Sequence, residues 1–193
     1  MVVGRIFVAV DLTDEVRHGL VEHLAATIRR PFPGRPVKPG NWHLTLRFIG
    51  PLDEVLYDRL LEGLGREPLG DSFRLGFLGL GGLPRAERAT VLVQETGKGS
   101  EELASLAERV AAICETIGFP PEGRPFRPHL TLSRIRPHQD VRSIVADSAP
   151  FPLTQEVHQV WAFRSRLGRG GAEYERLEAF PLGEILGSEQ AFD

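Results

Sequence analysis

The segments NWHLTLRF (residues 41–48) and RPHLTLSR (residues 127–134) share the tetrapeptide His-Leu-Thr-Leu, repeated 86 positions apart. Successive side chains of a β-strand point to opposite faces, so residues i and i+2 share a face. Each motif is therefore predicted to be a strand whose two leucines enter the core. The histidine and threonine are then presented together on the other face. The residues concerned are His43, Thr45, His129 and Thr131.

The elements around the two motifs are predicted to occur in the same order, which indicates an internal repeat. A helix (13–30), a Pro/Gly-rich connector, the first HLTL strand (43–49) and a helix (53–64) are followed by their counterparts at 100–118, 129–135 and 139–148. Thr13, Asp53 and Ser100 are the expected N-caps, and Gly65 and Gly118 are expected to follow helix ends. Further strands are predicted at 5–12, 72–82 and 89–96 and near 156–167 and 174–180.

This order predicts an α+β fold of two pseudo-symmetric lobes. Each lobe would contribute one HLTL strand to a shared groove. At 193 residues the chain is long enough for one domain, and we expect a single bilobal domain over 1–193.

The composition is typical of an ordinary globular protein, with 41% hydrophobic and 25% charged residues. No apolar run reaches the length of a membrane helix, and the N-terminus has no small-residue cleavage site of a signal peptide. The single cysteine, Cys114, lies among the apolar positions of a predicted helix, where a buried and inert thiol is expected. We therefore expect a cytoplasmic protein without a membrane partner.

The net charge of −3 does not suggest a nucleic-acid-binding protein, but the distribution of charge does. The segments 23–52, 123–139 and 157–172 hold twelve basic residues and no Asp or Glu, and both motifs lie within them. Such segregation predicts a positive field around the motifs, suited to a phosphate ligand. Solvated arginine-rich loops are the alternative explanation.

Two histidines on facing strands can serve as a proton donor and a proton acceptor near neutral pH. An in-line displacement at phosphorus needs both, on opposite sides of the phosphorus, and threonine hydroxyls can stabilise the developing charge. A lone strand histidine is more often structural, and two core strands without function remain the alternative. The other histidines, His18, His23, His138 and His158, are expected to be structural or on the surface. Two histidines without nearby Cys, Asp or Glu do not make a usual metal site.

With these motifs the chain resembles the 2H phosphoesterase superfamily, marked by two H-x-T/S-x motifs. It is most similar to the RNA 2′,3′-cyclic phosphodiesterase (2′-5′ RNA ligase) family. The stretches that carry the resemblance are RIFVAVDL, NWHLTLRFIG, FRPHLTLSR and the tail SRLGRGGAEYERLEAFPL. The resemblance implies a bilobal fold with antiparallel sheets lining a central positive groove and helices outside.

The resemblance also implies metal-independent opening of a terminal 2′,3′-cyclic phosphate of RNA to a 2′-phosphomonoester. His43 would be the proton donor and His129 the proton acceptor, with Thr45 and Thr131 holding the phosphate. Arg134 matches a phosphate-contacting arginine, and Phe48 matches an aromatic that packs on the terminal base, although Phe48 could also be a core residue. Arg127, before Pro128 in the same acid-free segment, is expected to bind substrate too.

Other functions stay open at this stage. The same site could act on a small cyclic nucleotide, or the chain could be a non-catalytic RNA-binding module. Joining of RNA ends through a 2′-5′ linkage would be the reverse reaction, and the concentration of water favours hydrolysis. We expect no cofactor, no metal and a monomeric protein.

Overall fold

The computed structural model describes residues 2–168 and 171–183, and the strands of this part form two antiparallel sheets. The strands are β1 (Val2–Asp11), β2 (Arg35–Pro36), β3 (His43–Asp53), β4 (Phe73–Leu83), β5 (Ala89–Thr96), β6 (His129–Gln139), β7 (Thr154–Val157), β8 (Gln159–Gly168) and β9 (Gly171–Pro181). The helices are α1 (Asp14–Thr27), α2 (Glu54–Arg66), α3 (Ser100–Thr116) and α4 (Arg142–Ala146).

The first sheet has the strand order β3-β1-β8-β9 and the second β2-β6-β5-β4-β7. Each HLTL strand thus belongs to a different sheet. The repeat of helix, connector, HLTL strand and helix is present as α1-β3-α2 and α3-β6-α4. The α+β fold class with two lobes and antiparallel sheets is confirmed. The extent of the domain over 1–193 stays a prediction, because 184–193 lie outside the described residues.

Two of the three predicted N-caps are confirmed. Thr13 and Asp53 cap α1 and α2, since their side chains accept hydrogen bonds from the backbone amides of Val16 (3.2 Å) and Leu56 (2.9 Å). The predicted cap Ser100 was wrong, because Gly99 takes the cap position in a left-handed conformation and Ser100 is the first helical residue.

The predicted helix ends also shift. α1 ends at Thr27, three residues early, and α2 continues through Gly65 to Arg66, so a glycine in the last turn did not terminate that helix. Gly118 does follow α3, with a φ of +102°. None of the helices in the described residues is long and apolar enough to cross a membrane.

The strand predicted near 156–167 is two strands in different sheets. β7 ends at Val157 and pairs with β4, whereas β8 begins at Gln159 and pairs with β1. The chain therefore crosses from one sheet to the other at His158. A periodicity of two does not reveal such a crossing, because both pieces are extended.

One core cluster joins both sheets and buries the leucines of both motifs. Leu44, Leu130 and Leu132 are 0% exposed and Leu46 is 3% exposed, which confirms their predicted anchoring role. A second, smaller cluster contains Phe7, Ala9 and Phe163, with Trp161 and Tyr174 packed against it.

Both HLTL strands contain a β-bulge at the same position of the motif. In β3, Thr45 and Arg47 pair with the consecutive residues Ala9 and Val8, so Leu46 is an extra residue. In β6, Thr131 and Ser133 pair with Val93 and Leu92, so Leu132 is the extra one. A bulge changes which side chains reach each face of a strand.

The bulge inverts the alternation beyond the motif. The next residues, Arg47 and Ser133, are buried like the leucines before them, with 4% and 0% exposure. The residues after those, Phe48 and Arg134, are exposed. Phe48 and Arg134 each lie five residues after the histidine of their motif. Strict alternation would place them on the face opposite the histidine, whereas the bulge returns them to the histidine's face.

The buried residue after each bulge holds the connector that precedes the other motif. Arg47 donates to the carbonyl of Pro120, in the connector before β6. Ser133 donates to the carbonyl of Pro33, in the connector before β3, at 2.5 Å. Each lobe therefore holds the connector of the other lobe through one hydrogen bond.

The first connector is also held by a glycine with little space around it. Gly34 has a φ of +77°, and a Cβ there would collide with the carbonyl of Arg134. At Gly40, in the same connector, a Cβ would have no neighbouring atom within 4 Å. We expect Gly34→Ala to lower the free energy of unfolding by more than about 1 kcal/mol, because the left-handed conformation is strained for alanine.

Urea unfolding followed by circular dichroism measures this difference, with Gly40→Ala as the matched control. Gly40→Ala should stay within about 0.5 kcal/mol of the wild type, as surface substitutions usually do. Equal stabilities of the two variants would contradict the tight packing of the connector on β6.

Candidate active site

The imidazole of His43 is held at both ring nitrogens. Nδ1 lies 2.8 Å from the carbonyl oxygen of Asn41, and Nε2 lies 2.9 Å from the hydroxyl of Thr45. A carbonyl oxygen can only accept, so Nδ1 carries the hydrogen. In the neutral ring the Thr45 hydroxyl then donates to Nε2, which is the nitrogen left for proton exchange.

The second motif repeats this arrangement at its backbone. Nδ1 of His129 lies 2.6 Å from the carbonyl oxygen of Arg127 and donates to it. Asn41 and Arg127 each lie two residues before their histidine, so both rings have the same tautomer with Nε2 as the exchangeable nitrogen. Thr131 is half-buried, as Thr45 is. The sequence carries no signal for these contacts, because a backbone carbonyl is supplied by any residue.

A cavity of about 340 Å³ opens around His43 and receives residues from both motifs. It is lined by Arg5, Phe7, His43, Thr45, Phe48, Arg134, Ser165, Ala172 and Tyr174. Arg134 belongs to β6, so the second lobe supplies a guanidinium to the cavity of the first histidine. We call this the His43 cavity.

Aromatic rings surround His43 on the small apolar cluster of the first sheet. The ring of Phe7 lies 4.8 Å away, and Tyr174 contacts the imidazole edge-on at 5.1 Å. Phe7 itself stacks on Phe163 at 5.1 Å. Sequence reasoning missed Tyr174 and Phe7, since aromatic residues on strands are most simply explained as core.

Phe48 is 47% exposed, so the alternative that it is a core residue does not apply. The guanidinium carbon of Arg5 lies 5.4 Å from the centre of its ring. A flat apolar face beside a cation therefore borders the His43 cavity. Sequence reasoning also missed Arg5, which lies outside the acid-free segments.

His129 lines a separate, smaller cavity of about 180 Å³. Its other walls are Leu83, Val93, Glu95, Thr96, Ser100, Arg127 and Pro128. The guanidinium of Arg127 donates to the carbonyl of Pro84 at 3.2 Å. Arg127 is thus near His129 but outside the residues that line the His43 cavity.

Besides burial, Arg134 lowers the pKa values of both His43 and His129. Burial lowers the pKa of His43 to about 4; the carbonyl of Asn41 and the carboxylate of Asp11 oppose this shift, and Arg134 adds to it. Burial also lowers the pKa of His129, with further lowering by Arg127 and Arg134. Arg134 therefore lies close enough to both imidazoles to act on both pKa values.

Asp11 is a further residue that the sequence did not single out. It pairs with His43 across β1 and β3. Its carboxylate is bound by Arg17 at 2.6 Å and by Arg176 at 2.5 Å. Asp11 thus places a negative charge near His43 while two guanidinium groups hold it in place.

The predicted positive field is narrower than the acid-free segments suggest. Arg47 is buried in the core, and Arg30 pairs with Asp147 at 2.7 Å. Arg164 and Arg166 both pair with Glu175, which follows the third segment in sequence. These contacts correct the expectation, because carboxylates distant in sequence reach the arginines in space. Arg169 lies outside the described residues.

The other four histidines, His18, His23, His138 and His158, and the cysteine Cys114 do not line the His43 cavity. His18 pairs with Glu22 at 3.3 Å, and His23 lies 3.2 Å from the carbonyl of Ala149. Cys114 is buried as predicted, and burial raises the pKa of its thiol to about 11. Within residues 2–168 and 171–183, no group of three or more His, Cys, Asp or Glu side chains is placed to hold a metal ion.

Comparison with solved structures relates this geometry to known proteins. The crystal structure of Escherichia coli LigT complexed with 3′-AMP matches with a TM-score of 0.78 and 27% identity, covering 93% of this chain and 98% of that chain. A crystal structure of a Thermus thermophilus protein matches with a TM-score of 0.77 and 34% identity, covering 94% and 99%.

Sequence comparison agrees with the structural matches. An RNA 2′,3′-cyclic phosphodiesterase of Thermus thermophilus is 37% identical over 97% of this chain and 94% of its own length. One of Aeropyrum pernix is 35% identical over 58% of this chain, and that match spans 64% of the relative. The family model of the 2′-5′ RNA ligase superfamily matches residues 13–169. The chain belongs to the 2′-5′ RNA ligase superfamily.

Proposed function

We propose that this protein hydrolyses 2′,3′-cyclic phosphate ends of RNA to 2′-phosphomonoesters by acid–base catalysis with His43 and His129, without a metal ion. The observation that carries the proposal is the pair of imidazoles with matching tautomers and one arginine acting on both. Relatives named RNA 2′,3′-cyclic phosphodiesterase support the substrate class.

In the proposed reaction, Nε2 of His129 takes a proton from a water molecule as its oxygen attacks the phosphorus. The bond between phosphorus and the 3′ oxygen breaks on the opposite side. His43 gives the Nε2 proton to that oxygen, so the product has a 2′-phosphate and a free 3′-hydroxyl. Proton exchange with solvent restores both rings. Assigning the donor role to His43 follows from the family resemblance.

Thr45, Thr131 and Arg134 are proposed to hold the non-bridging phosphate oxygens. Hydroxyl and guanidinium donors placed where negative charge develops stabilise the transition state. The hydroxyl of Thr45 lies 2.9 Å from Nε2 of His43. A phosphate bound by Thr45 is therefore within reach of the donor nitrogen. Arg127 is proposed to contact substrate on the His129 side.

Because the pKa of His43 is low, His43 can donate a proton only if the bound substrate raises that pKa. With a pKa of about 4, His43 is neutral in the free protein at pH 7. A phosphate anion beside Nε2 favours the imidazolium and so raises the pKa. His43 is thereby protonated when the anion is bound.

Phe48 is proposed to stack on the base of the terminal nucleotide. Unpaired bases are commonly recognised on exposed aromatic rings. Phe48 is exposed at the edge of the His43 cavity, and Arg5 adds a cation to the same platform.

Reverse 2′-5′ joining would use a 5′-hydroxyl of RNA in place of water at His129. A non-catalytic binding module would need neither proton transfer group, whereas both histidines are present here. Monomeric state and cytoplasmic location stay predictions.

The pKa of His43 is expected to rise when phosphate binds. NMR titration of the imidazole resonances should give a pKa of about 4 for His43 in the free protein. Inorganic phosphate should shift the titration of His43 upward, because the anion stabilises the charged ring. Sodium chloride at the same ionic strength is the control. Identical titrations in phosphate and chloride would contradict the proposed role of His43 as the proton donor.

His43→Ala and His129→Ala are each expected to lower kcat by about 10²-fold or more, because each removes a proton-transfer group. Wild-type protein with EDTA and a short RNA ending in a 2′,3′-cyclic phosphate should form the 2′-phosphate, identified by mass spectrometry and phosphatase digestion. His18→Ala is the matched control, since it removes an exposed imidazole on α1. A 3′-phosphate product, or full activity in either variant, would overturn the roles assigned here.

Phe48→Ala is expected to raise KM for the cyclic-ended RNA by about 5- to 150-fold, from about 1–3 kcal/mol per stacked base. Phe48→Tyr should retain most of the affinity. Leu78→Ala, which removes a similarly exposed apolar side chain of β4, is the control. An unchanged KM for Phe48→Ala in steady-state assays would exclude stacking on this ring.

A further inference from the structure

A second cavity adjoins the His43 cavity and shares three lining residues with it. Its volume is about 370 Å³. Arg134, Ala172 and Tyr174 line both cavities, so the two cavities adjoin at these residues. The remaining walls are Arg35, Pro36, Val37, Lys38, Asn41, Gly168 and Gly171. We call it the connector cavity, because most of these residues belong to the connector before β3.

The connector cavity is strongly cationic. Arg35, Lys38 and Arg134 line it, and none of the described residues in its lining is acidic. On the adjoining hairpin, the carboxylate of Glu173 lies beside Gly168. Three cations around one cavity create a local potential suited to an anion.

The backbone that carries these cations is fixed in place. β2 pairs with β6 through Arg35 and Pro36, and the amide of Val37 donates to the carbonyl of Leu132 at 2.8 Å. Asn41 donates from its side chain to the carbonyl of Ala172 at 2.6 Å, which joins the connector to β9. A rigid backbone lowers the cost of organising the charges around a ligand.

The position of Arg35 is restricted by the glycine opposite it. Gly171 has a φ of +115°, and a Cβ there would lie 2.7 Å from Nη2 of Arg35. The guanidinium thus lies against bare backbone at the start of β9. Arg134 lines both this cavity and the His43 cavity, where the phosphate beside His43 is proposed to bind.

We infer that the connector cavity is a second phosphate subsite, which binds the phosphodiester preceding the terminal nucleotide of the RNA. This inference rests on the proposed function and extends it. Consecutive phosphates of one strand would be bound on either side of Arg134, with the terminal base on Phe48. The preferred substrate is then an RNA strand of two or more nucleotides, and a lone cyclic nucleotide leaves the subsite empty.

A pair of stable ligands tests the subsite without catalysis. Adenosine 2′-phosphate and adenosine 2′,5′-bisphosphate differ only in the 5′-phosphate, which stands for the preceding phosphodiester. By isothermal titration calorimetry, the wild type should bind the bisphosphate about tenfold more tightly or better, as expected for charge-assisted hydrogen bonds. Lys38→Ala and the double variant Arg35→Gln/Lys38→Ala should reduce this ratio and leave affinity for the 2′-phosphate within about twofold.

Arg29→Ala is the matched control, because Arg29 is an exposed arginine of the same acid-free segment that does not line the cavity. It should retain the wild-type ratio. The salt dependence of bisphosphate binding should also weaken by about one unit of slope in the double variant. Equal affinity of the wild type for both ligands would overturn the inference, as would an unchanged ratio in both subsite variants.

Kinetics separate this inference from the proposed function. Turnover of adenosine 2′,3′-cyclic phosphate and of a cyclic-ended dinucleotide by the wild type tests the function. Absence of turnover with an intact binding ratio would refute the function and keep the subsite. Turnover of both substrates with identical kcat/KM, together with a binding ratio of one, would keep the function and refute the subsite.

Discussion

The geometry of the site depends on a single extra residue in each HLTL strand. Leu46 and Leu132 are accommodated as bulges, and each bulge reverses the alternation of side chains beyond it. One consequence faces the groove, since Phe48 and Arg134 return to the histidine's side. The other faces the core, where Arg47 and Ser133 reach the connectors of the opposite lobe. The same kind of bulge therefore places Phe48 and Arg134 on the groove side and allows the contacts that join the lobes.

The repeat is also visible in how the histidines are oriented. A backbone carbonyl two residues upstream accepts from Nδ1 in both motifs, so the two rings present the same nitrogen. Their surroundings then differ. His43 is surrounded by aromatic rings and faces Asp11, whereas His129 lies beside Arg127 and opposite Glu95. A symmetric backbone with unlike neighbours gives two chemically distinct imidazoles, which suits a reaction that needs one donor and one acceptor.

The elements were predicted well where local periodicity and capping decide structure. The N-caps Thr13 and Asp53, the buried leucines of the motifs and the limits of β5 follow from side-chain chemistry close in sequence. The wrong N-cap at Ser100 was a local error, because the neighbouring Gly99 takes the cap position. Other predictions were wrong because distant residues decide the outcome. The end of α2 beyond Gly65 and the crossing between sheets at His158 depend on packing and strand pairing. The charge pattern was partly misleading for the same reason, because Glu175 neutralises arginines of an acid-free segment.

The sequence by itself determined the two-strand repeat, the shared face of each His and Thr, and the family resemblance, because these depend on the period of an extended chain and on a recognisable motif. Tertiary structure decided which further residues join the site. Arg5, Asp11 and Tyr174 reach His43 only through the pairing and packing of the strands of the first sheet, and Arg134 reaches it only across the lobes. Local sequence specifies which face a side chain occupies, whereas the partner across a groove is set by long-range packing of the whole chain.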